Sequence, residues 1–180
     1  VDIRADFHPT ILCDVMDFDI KLLAGLPPVD LMWASPPCTH YSSARTTAKS
    51  PRDLIGSDAM VQKVLDIADQ LFCYYLMENP HSGLLKTRAV VAGCPHMRVL
   101  DYCKYGSPYR KRTAIWTNSS WEPSRPLCKH DCDASDGGKH TSSAQRGGRP
   151  GGDRRFTLEE LYAIPQELCD EIAVWAESLR

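Results

Sequence analysis

Short apolar runs bounded by turn residues dominate the first third of the chain. Residues 10–13 and 29–34 are such runs, and the second lies between Pro27-Pro28 and Pro36-Pro37. Runs of this length beside turn residues are typical of buried strands in a mostly parallel sheet. The pattern therefore predicts two short strands, the second of which ends just before Pro36.

A helix with a strand behind it is predicted next. Apolar side chains recur at helical spacing over residues 57–71, and Ser57 is the predicted N-cap. Residues 72–77 are too continuously apolar for a surface helix and predict a buried strand.

The second half of the chain contains fewer regular elements. Residues 99–102 and 113–117 predict strands, and residues 157–163 and 166–179 predict helices. Strands that alternate with helices over short connections indicate an α/β fold. Residues 133–153, which contain six of the eleven glycines, predict a loop.

Composition narrows the class of protein. The 180 residues are 43% hydrophobic and 24% charged, which suits one compact core, and no apolar run reaches the length of a membrane span. The net charge of -2 divides into -3 for residues 1–103, +6 for 104–155 and -5 for 156–180. The basic middle stretch indicates either an anionic partner or a solvated basic loop.

The cysteines indicate a reducing compartment and raise the question of a metal. Several of the eight lie in apolar runs, as Cys13 and Cys73 do, which favours reduced thiols and an intracellular, cytoplasmic location. Cys128 and Cys132 lie close enough in sequence to share a zinc ion, although metal-free thiols are the alternative. Such a site could take its remaining ligands from His130, His140, Cys94, His96 and Cys103.

Two predicted strands end in residues that can do chemistry. Cys38 follows Pro36-Pro37 at the carboxyl end of its strand, where ligands bind in open α/β sheets, and is a candidate nucleophile. Glu78 comes directly after the run at 72–77 and is a candidate proton donor. The alternatives are a structural cysteine after a stiff turn and a surface glutamate.

A third segment is basic. Arg110 and Arg112 occupy alternate positions of an extended segment, so both guanidinium groups lie on one face. They are able to hold a base carbonyl, a phosphate or a carboxylate.

In this order the segments resemble the cytosine-5 DNA methyltransferase family, in particular its small phage and viral forms. The resemblance covers about the whole chain in family order. Four segments carry it: Ser35-Pro36-Pro37-Cys38 matches the nucleophile motif, Glu78-Asn79-Pro80 the Glu-Asn motif with Pro for the usual Val, Arg110-Lys111-Arg112 the Arg-x-Arg motif, and residues 155–165 the late motif.

The resemblance implies a Rossmann-like, mostly parallel sheet and a covalent mechanism. Cys38 would add to carbon 6 of a flipped cytosine in double-stranded DNA, and Glu78 would hydrogen-bond the ring nitrogen N3 and the amino group. Arg110 and Arg112 would hold the cytosine carbonyl and order the other two side chains. The methyl donor would be S-adenosylmethionine, and the chemistry requires no metal.

The family's cofactor motifs are only partly present. Asp2 would bind the ribose hydroxyls and Asp14 would lie near the adenine amino group, with Pro36 at the same site. The family's Gly-rich turn is missing before Cys38, and Pro108 stands where the family has Gln. We therefore expect a chain that lacks the N-terminal cofactor motif, which an upstream segment or a partner chain would supply.

The resemblance also predicts an organisation and leaves two alternatives open. Residues 1–112 would form the catalytic core, 113–155 a short basic target-recognition region, and 156–180 C-terminal helices that pack on the core. The cell would be bacterial or phage-infected. The alternatives are a non-catalytic, DNA-binding methyltransferase-like subunit, which the missing turn favours, and a methyltransferase acting on RNA.

Overall fold

A computed structural model describes residues 1–43, 45, 48–142, 144 and 156–179, and it confirms the α/β class. In chain order, the helices and strands are β1 Leu31–Ala34, α1 Leu54–Leu71, β2 Tyr74–Pro80, β3 His96–Asp101, β4 Arg112–Thr117, β5 Ser135–Asp136, β6 Lys139–His140, α2 Leu158–Tyr162 and α3 Gln166–Glu177. Strands β1 to β4 form one sheet in the order β1-β2-β4-β3, and β5 pairs with β6.

The four-stranded sheet is mixed, so the mostly parallel arrangement is not confirmed. Strands β1 and β2 are parallel. Strand β4 runs the opposite way to β2, because the amide of His81 donates to the carbonyl of Arg112 while the amide of Tyr75 donates to the side chain of Asn118. The segment between β3 and β4 is too short for the crossover that parallel neighbours need, which favours an antiparallel pair.

Helix α1 begins one turn earlier than the sequence predicts, and Ser57 is not its N-cap. The carboxylate of Asp53 caps the helix by accepting from the amide of Gly56 at 2.8 Å. A side chain on Gly56 would collide with that carboxylate. Ser57 lies inside the helix, where its hydroxyl donates to the Asp53 carbonyl at 2.7 Å.

The first predicted strand is wrong. Residues 10–13 contribute only one bridge, in which Leu12 pairs with Asp2 in parallel, and the Leu12 side chain is 56% exposed. An apolar run becomes a buried strand only when a neighbour pairs with its length, and here the pairing extends over a single residue.

Part of the predicted loop is a hairpin. Strands β5 and β6 are joined by Gly137 and Gly138, whose φ angles are +54° and +77°. Two consecutive glycines adopt this left-handed conformation without strain, which is what a tight hairpin turn requires. The rest of that prediction, at residue 143 and residues 145–153, lies outside the described residues.

The chain divides into two compact units. The first unit comprises Val1–Asn79, Gly83–His96 and Trp116–Ser119, and the second comprises Pro80–Ser82, Met97–Ile115 and Ser120–Arg180. Fully buried side chains in the first unit include Val61, Leu76 and Met77, and those in the second include Leu100, Ile115 and Trp121. None of the helices in the described part of the chain combines the length and apolar character needed to cross a membrane.

Candidate active site

Strands β1 and β2 bring the two predicted catalytic segments of the first unit to one edge. The register places Ala34 opposite Met77, and β2 continues past this pair through Glu78 and Asn79 to Pro80. The side-chain amide of Asn79 donates to the carbonyl of Pro36 at 2.9 Å, which ties the two strand ends together. Cys38 is partly exposed and Glu78 is buried at 7% exposure. Cys38, four residues after β1, and Glu78, two residues before the end of β2, are therefore carried near the carboxyl ends of adjacent strands.

Asn79 is the buried residue that joins β2 to the segment after β1. Its side chain is fully buried, and its Oδ1 has no hydrogen-bond partner among the described residues. Pro36 is buried, so its carbonyl needs a hydrogen-bond donor from the protein. The amide of Asn79 meets that need, and this is the structural reason for an amide side chain after Glu78.

The backbone after the nucleophile forms a turn on Cys38. The amides of Tyr41 and Ser42 both donate to the Cys38 carbonyl, at 3.0 and 2.8 Å. The carbonyl of Tyr41 accepts from the amide of Leu84 at 2.9 Å. Hydrogen bonds to the carbonyl groups of Cys38 and Tyr41 thus hold the start of the loop that follows the candidate nucleophile.

A buried tyrosine anchors the same loop to α1. The Tyr41 hydroxyl donates to Asp58 at 2.8 Å, and the Arg88 guanidinium donates to both Asp58 oxygens, the shortest distance being 2.6 Å. Hydrogen bonding from Arg88 holds the pKa of Asp58 below its usual value. Burial, with the Asp58 contact, raises the pKa of Tyr41 and keeps its hydroxyl protonated as a donor. No sequence pattern links these three positions, so sequence reasoning missed them.

Replacing Tyr41 by Phe tests this anchor. We expect Tyr41→Phe to lower the free energy of unfolding by about 1.5 kcal/mol, because a hydrogen bond to a charged, half-buried acceptor is lost. Urea denaturation measures the change. Tyr162→Phe is the matched control, since the Tyr162 ring is 57% exposed, and its curve should overlay that of the parent protein. Equal curves for both variants would contradict the role given to Tyr41.

In the second unit the two predicted arginines share one buried carboxylate. Asp101, at the end of β3, is fully buried, and it accepts from Arg110 Nε at 3.2 Å and from Arg112 Nε and Nη2 at 3.0 and 2.8 Å. Burial alone would raise the pKa of Asp101, but the bonds from Arg112 and Arg110 outweigh it and hold that pKa below its usual value. About a third of each arginine side chain stays exposed. Asp101 thus aligns both guanidinium groups and leaves each partly accessible.

Sequence reasoning missed Asp101 although a signal was present. Residues 99–101 are Val-Leu-Asp, an apolar run that ends in a carboxylate, which is the pattern that singled out Glu78. The pattern alone does not reveal that Asp101 forms ion pairs with two guanidinium groups.

The late motif supports the arginine segment. The rings of Tyr109 and Phe156 meet edge to face at 4.7 Å, and the Tyr109 hydroxyl donates to the carbonyl of Glu160 at 2.6 Å. Lys111 Nζ donates to the carbonyl of Leu161 at 3.4 Å. Side chains on both sides of Arg110 are therefore held by residues 156–161. Arg155, the first residue of the motif, lies outside the described residues.

The predicted cofactor residues of the first unit lie on two paired segments. The bridge between Asp2 and Leu12 places Asp2 next to Cys13, the residue before Asp14, and the Cys13 amide donates to the Asp2 carbonyl at 3.1 Å. Each carboxylate accepts from the amide two residues further on, at 2.8 Å for Asp2 and 2.9 Å for Asp14. Local backbone thus orients both carboxylates. Pro36 lies two residues after β1.

A group of metal-ligating side chains lies in the second unit. One nitrogen or sulfur atom from each member falls within 4.8 Å of the others, and the members are Cys103, Cys128, Cys132 and His140. Of the further ligands considered from the sequence, Cys103 and His140 belong to this group, whereas Cys94, His96 and His130 do not.

One basic residue of the predicted target-recognition region has a structural role. Arg125 forms an ion pair with Glu167 and stacks over the Tyr105 ring at 4.7 Å. Lys129 and Lys139 are exposed, and Arg146 and Arg149 lie outside the described residues. Among the described basic residues of this region, Lys129 and Lys139 are therefore more accessible to an anionic partner than Arg125.

Comparison with known proteins agrees with the motifs. No protein-family model matches the chain. A protein of Frog virus 3 (isolate Goorha), named a probable DNA (cytosine-5)-methyltransferase, is 28% identical over an alignment that covers 88% of this chain and 81% of the relative. Together with the ordered motifs, this similarity supports the assignment of the chain to the cytosine-5 DNA methyltransferase family.

Proposed function

We propose that the chain methylates carbon 5 of cytosine in DNA, with S-adenosylmethionine as the methyl donor, through a covalent adduct on Cys38. The observation that carries the proposal is the junction of β1 and β2, where the side-chain amide of Asn79 donates to the carbonyl of Pro36 and so joins the segment of Cys38 to that of Glu78. The name of the Frog virus 3 relative supports the same reaction class.

At this junction the two side chains have complementary tasks. The Cys38 thiolate donates an electron pair to carbon 6 of a cytosine turned out of the duplex, which leaves carbon 5 electron-rich. Glu78 hydrogen-bonds N3 and the exocyclic amino group, so the negative charge that develops on the ring is stabilised where it accumulates. Once carbon 5 carries the methyl group that S-adenosylmethionine would supply, with S-adenosylhomocysteine as the other product, removal of the proton at carbon 5 and expulsion of the thiolate restore the aromatic ring.

We assign the arginine pair to the base carbonyl. The buried Asp101 carries one negative charge against two guanidinium groups, so the Arg110-Arg112 cluster keeps a net positive charge of one. A cationic donor held in place by a buried partner stabilises a developing oxyanion without reorganisation. Asp101 is a positioning residue in this scheme, because it acts through the arginines.

The residues proposed for the cofactor fit it chemically. Ribose hydroxyls and an adenine amino group are hydrogen-bond donors, and the oriented carboxylates of Asp2 and Asp14 are acceptors. When bound, S-adenosylmethionine supplies an electrophilic methyl group. Asp2, Asp14 and Pro36 would hold the nucleoside end, and the carboxylates would fix its orientation.

Double-stranded DNA is the proposed polymer partner, with target recognition in residues 113–155. The charge balance of +6 over residues 104–155 supports contacts with phosphates. Exposed Lys129 and Lys139 are the contacts that the described residues offer. Raising the salt concentration should weaken binding by an amount that scales with the number of phosphates neutralised.

Transfer of tritium from labelled S-adenosylmethionine tests the proposal. We expect label in duplex DNA, recovered after digestion as 5-methylcytosine, and much less in RNA of matched sequence. Preferential labelling of RNA would replace DNA with RNA as the substrate. Absence of label in both polymers, with no binding of S-adenosylhomocysteine by calorimetry, would favour a non-catalytic DNA-binding subunit.

A further inference from the structure

We propose that the second unit contains a structural zinc site with three thiolates and one imidazole as ligands. The ligands are Cys103, Cys128, Cys132 and His140. The proposed reaction does not use this site, and the site does not depend on the proposed reaction.

The distances fit a tetrahedral zinc centre. His140 Nε2 lies 3.5 Å from Cys128 Sγ and 3.3 Å from Cys132 Sγ. With Zn–S near 2.3 Å and Zn–N near 2.0 Å, neighbouring ligand atoms of a tetrahedron are about 3.5–3.8 Å apart. All four ligand atoms fall within 4.8 Å of one another, so only small side-chain adjustments would close the site around an ion.

Local backbone directs the ligands toward one point. Cys103 lies in a 3₁₀ turn, Tyr102–Tyr105, directly after β3. The carbonyl of Cys132 accepts from the amide of Ser135 at 2.9 Å, which starts the β5-β6 hairpin, and the glycine turn returns the chain so that His140 pairs with Ser135. A two-stranded hairpin this short is marginal in water without a further constraint, and a metal ion would supply it.

Cations beside the group suit the net charge of a zinc site. Lys104 and Arg112 lie close enough to Cys128 for their charges to interact with its sulfur. Three thiolates, a neutral imidazole and Zn²⁺ carry a net charge of -1, which these cations offset.

The site is joined directly to the arginine pair. The amide of Cys128 donates to Asp101 Oδ2 at 3.0 Å, and Cys103 follows Asp101 by two residues. An ion held by both cysteines would fix the backbone on two sides of the carboxylate that aligns Arg110 and Arg112. Four protein ligands leave no open coordination position, which indicates a structural ion rather than a catalytic one.

Metal analysis of the full chain, purified without added zinc, tests the site. We expect about one equivalent of zinc in the parent protein and below ~0.2 equivalents in Cys132→Ser and His140→Ala. Cys169→Ser is the matched control, because Cys169 is exposed on α3 and outside the ligand group, and it should retain the metal. Less than ~0.2 equivalents in the parent protein, or equal zinc in all variants, would overturn the proposal.

Cobalt substitution keeps the test decisive if a variant fails to fold. The parent protein, stripped of metal and titrated with Co²⁺, should develop the thiolate charge-transfer bands and strong visible bands of a tetrahedral site, with a one-to-one end point. Iron with acid-labile sulfide, or a Cys128–Cys132 disulfide found by mass spectrometry in freshly purified reduced protein, would contradict a zinc site.

Discussion

Cys38→Ser should lower methyl transfer to duplex DNA by at least about 10³-fold, the largest effect expected of any single substitution. A serine hydroxyl fits the same turn but is almost entirely protonated near neutral pH, so it cannot add to carbon 6 as a thiolate does. The turn itself should persist, because its hydrogen bonds are made by the Cys38 carbonyl and the amides of Tyr41 and Ser42.

Two measurements separate loss of the nucleophile from loss of the fold. With S-adenosylmethionine present, parent protein and Cys169→Ser should form a denaturant-resistant complex with a duplex that contains 5-fluorocytosine. Release of the thiolate requires loss of a proton from carbon 5, and the methylated adduct carries fluorine there instead, so it is trapped. Cys38→Ser should form none while its urea denaturation midpoint stays close to that of the parent. Methyl transfer or trapping that survives Cys38→Ser would assign the adduct to another residue.

The strand-end pattern was the most informative sequence signal for the site. It singled out Cys38 and Glu78 because each comes after an apolar run, and the β1-β2 register brings the two segments together. The predicted strand boundary was wrong for Glu78, which lies buried inside β2, two residues before its end. An apolar run also precedes Asp101. Its role depends on which side chains face it, and a strand-end pattern contains no information on that.

Contacts that join distant segments could not be predicted. Cys103 completes the metal-ligating group with Cys128, 25 positions away, whereas Cys94 and His96 looked equally suitable in the sequence. The sequence therefore identified a local ligand pair and could not choose the residues that join it. The same limit explains the antiparallel β4, because an apolar run has no intrinsic direction relative to its neighbour.

Local errors arose where two local signals compete. Ser57 is a good N-cap by type, but Asp53 is four residues earlier and Gly56 leaves room for its carboxylate, so the helix starts there. The run at 72–77 is continuous, but Phe72 ends α1 in the left-handed region with its ring 97% exposed, so strand β2 starts only at Tyr74.

Asp101→Asn should lower the free energy of unfolding by about 3 kcal/mol at neutral pH. The substitution removes the charge that both guanidinium groups share and replaces an acceptor oxygen with an amide donor. Arg112 and Arg110 would then face a neutral side chain in a buried position, with the Cys128 amide beside it. Urea denaturation of both proteins measures the difference, and Asp6→Asn is the control because its ion pair with Arg4 is on the surface.

The difference in unfolding free energy between the parent protein and Asp101→Asn should depend on pH, which a packing defect alone would not cause. The pKa of Asp101 is lower in the folded protein than the usual value near 3.9, so its contribution is fully present above that value and is lost as pH falls through the folded pKa. The stability difference between parent and Asp101→Asn should therefore be constant from pH 7 to about 5 and shrink below about 4. Because the thiols of the proposed zinc site would also titrate in acid, the difference between the two proteins is the readout. A difference that stays constant into acid would show that the ionised carboxylate does not hold the arginine pair.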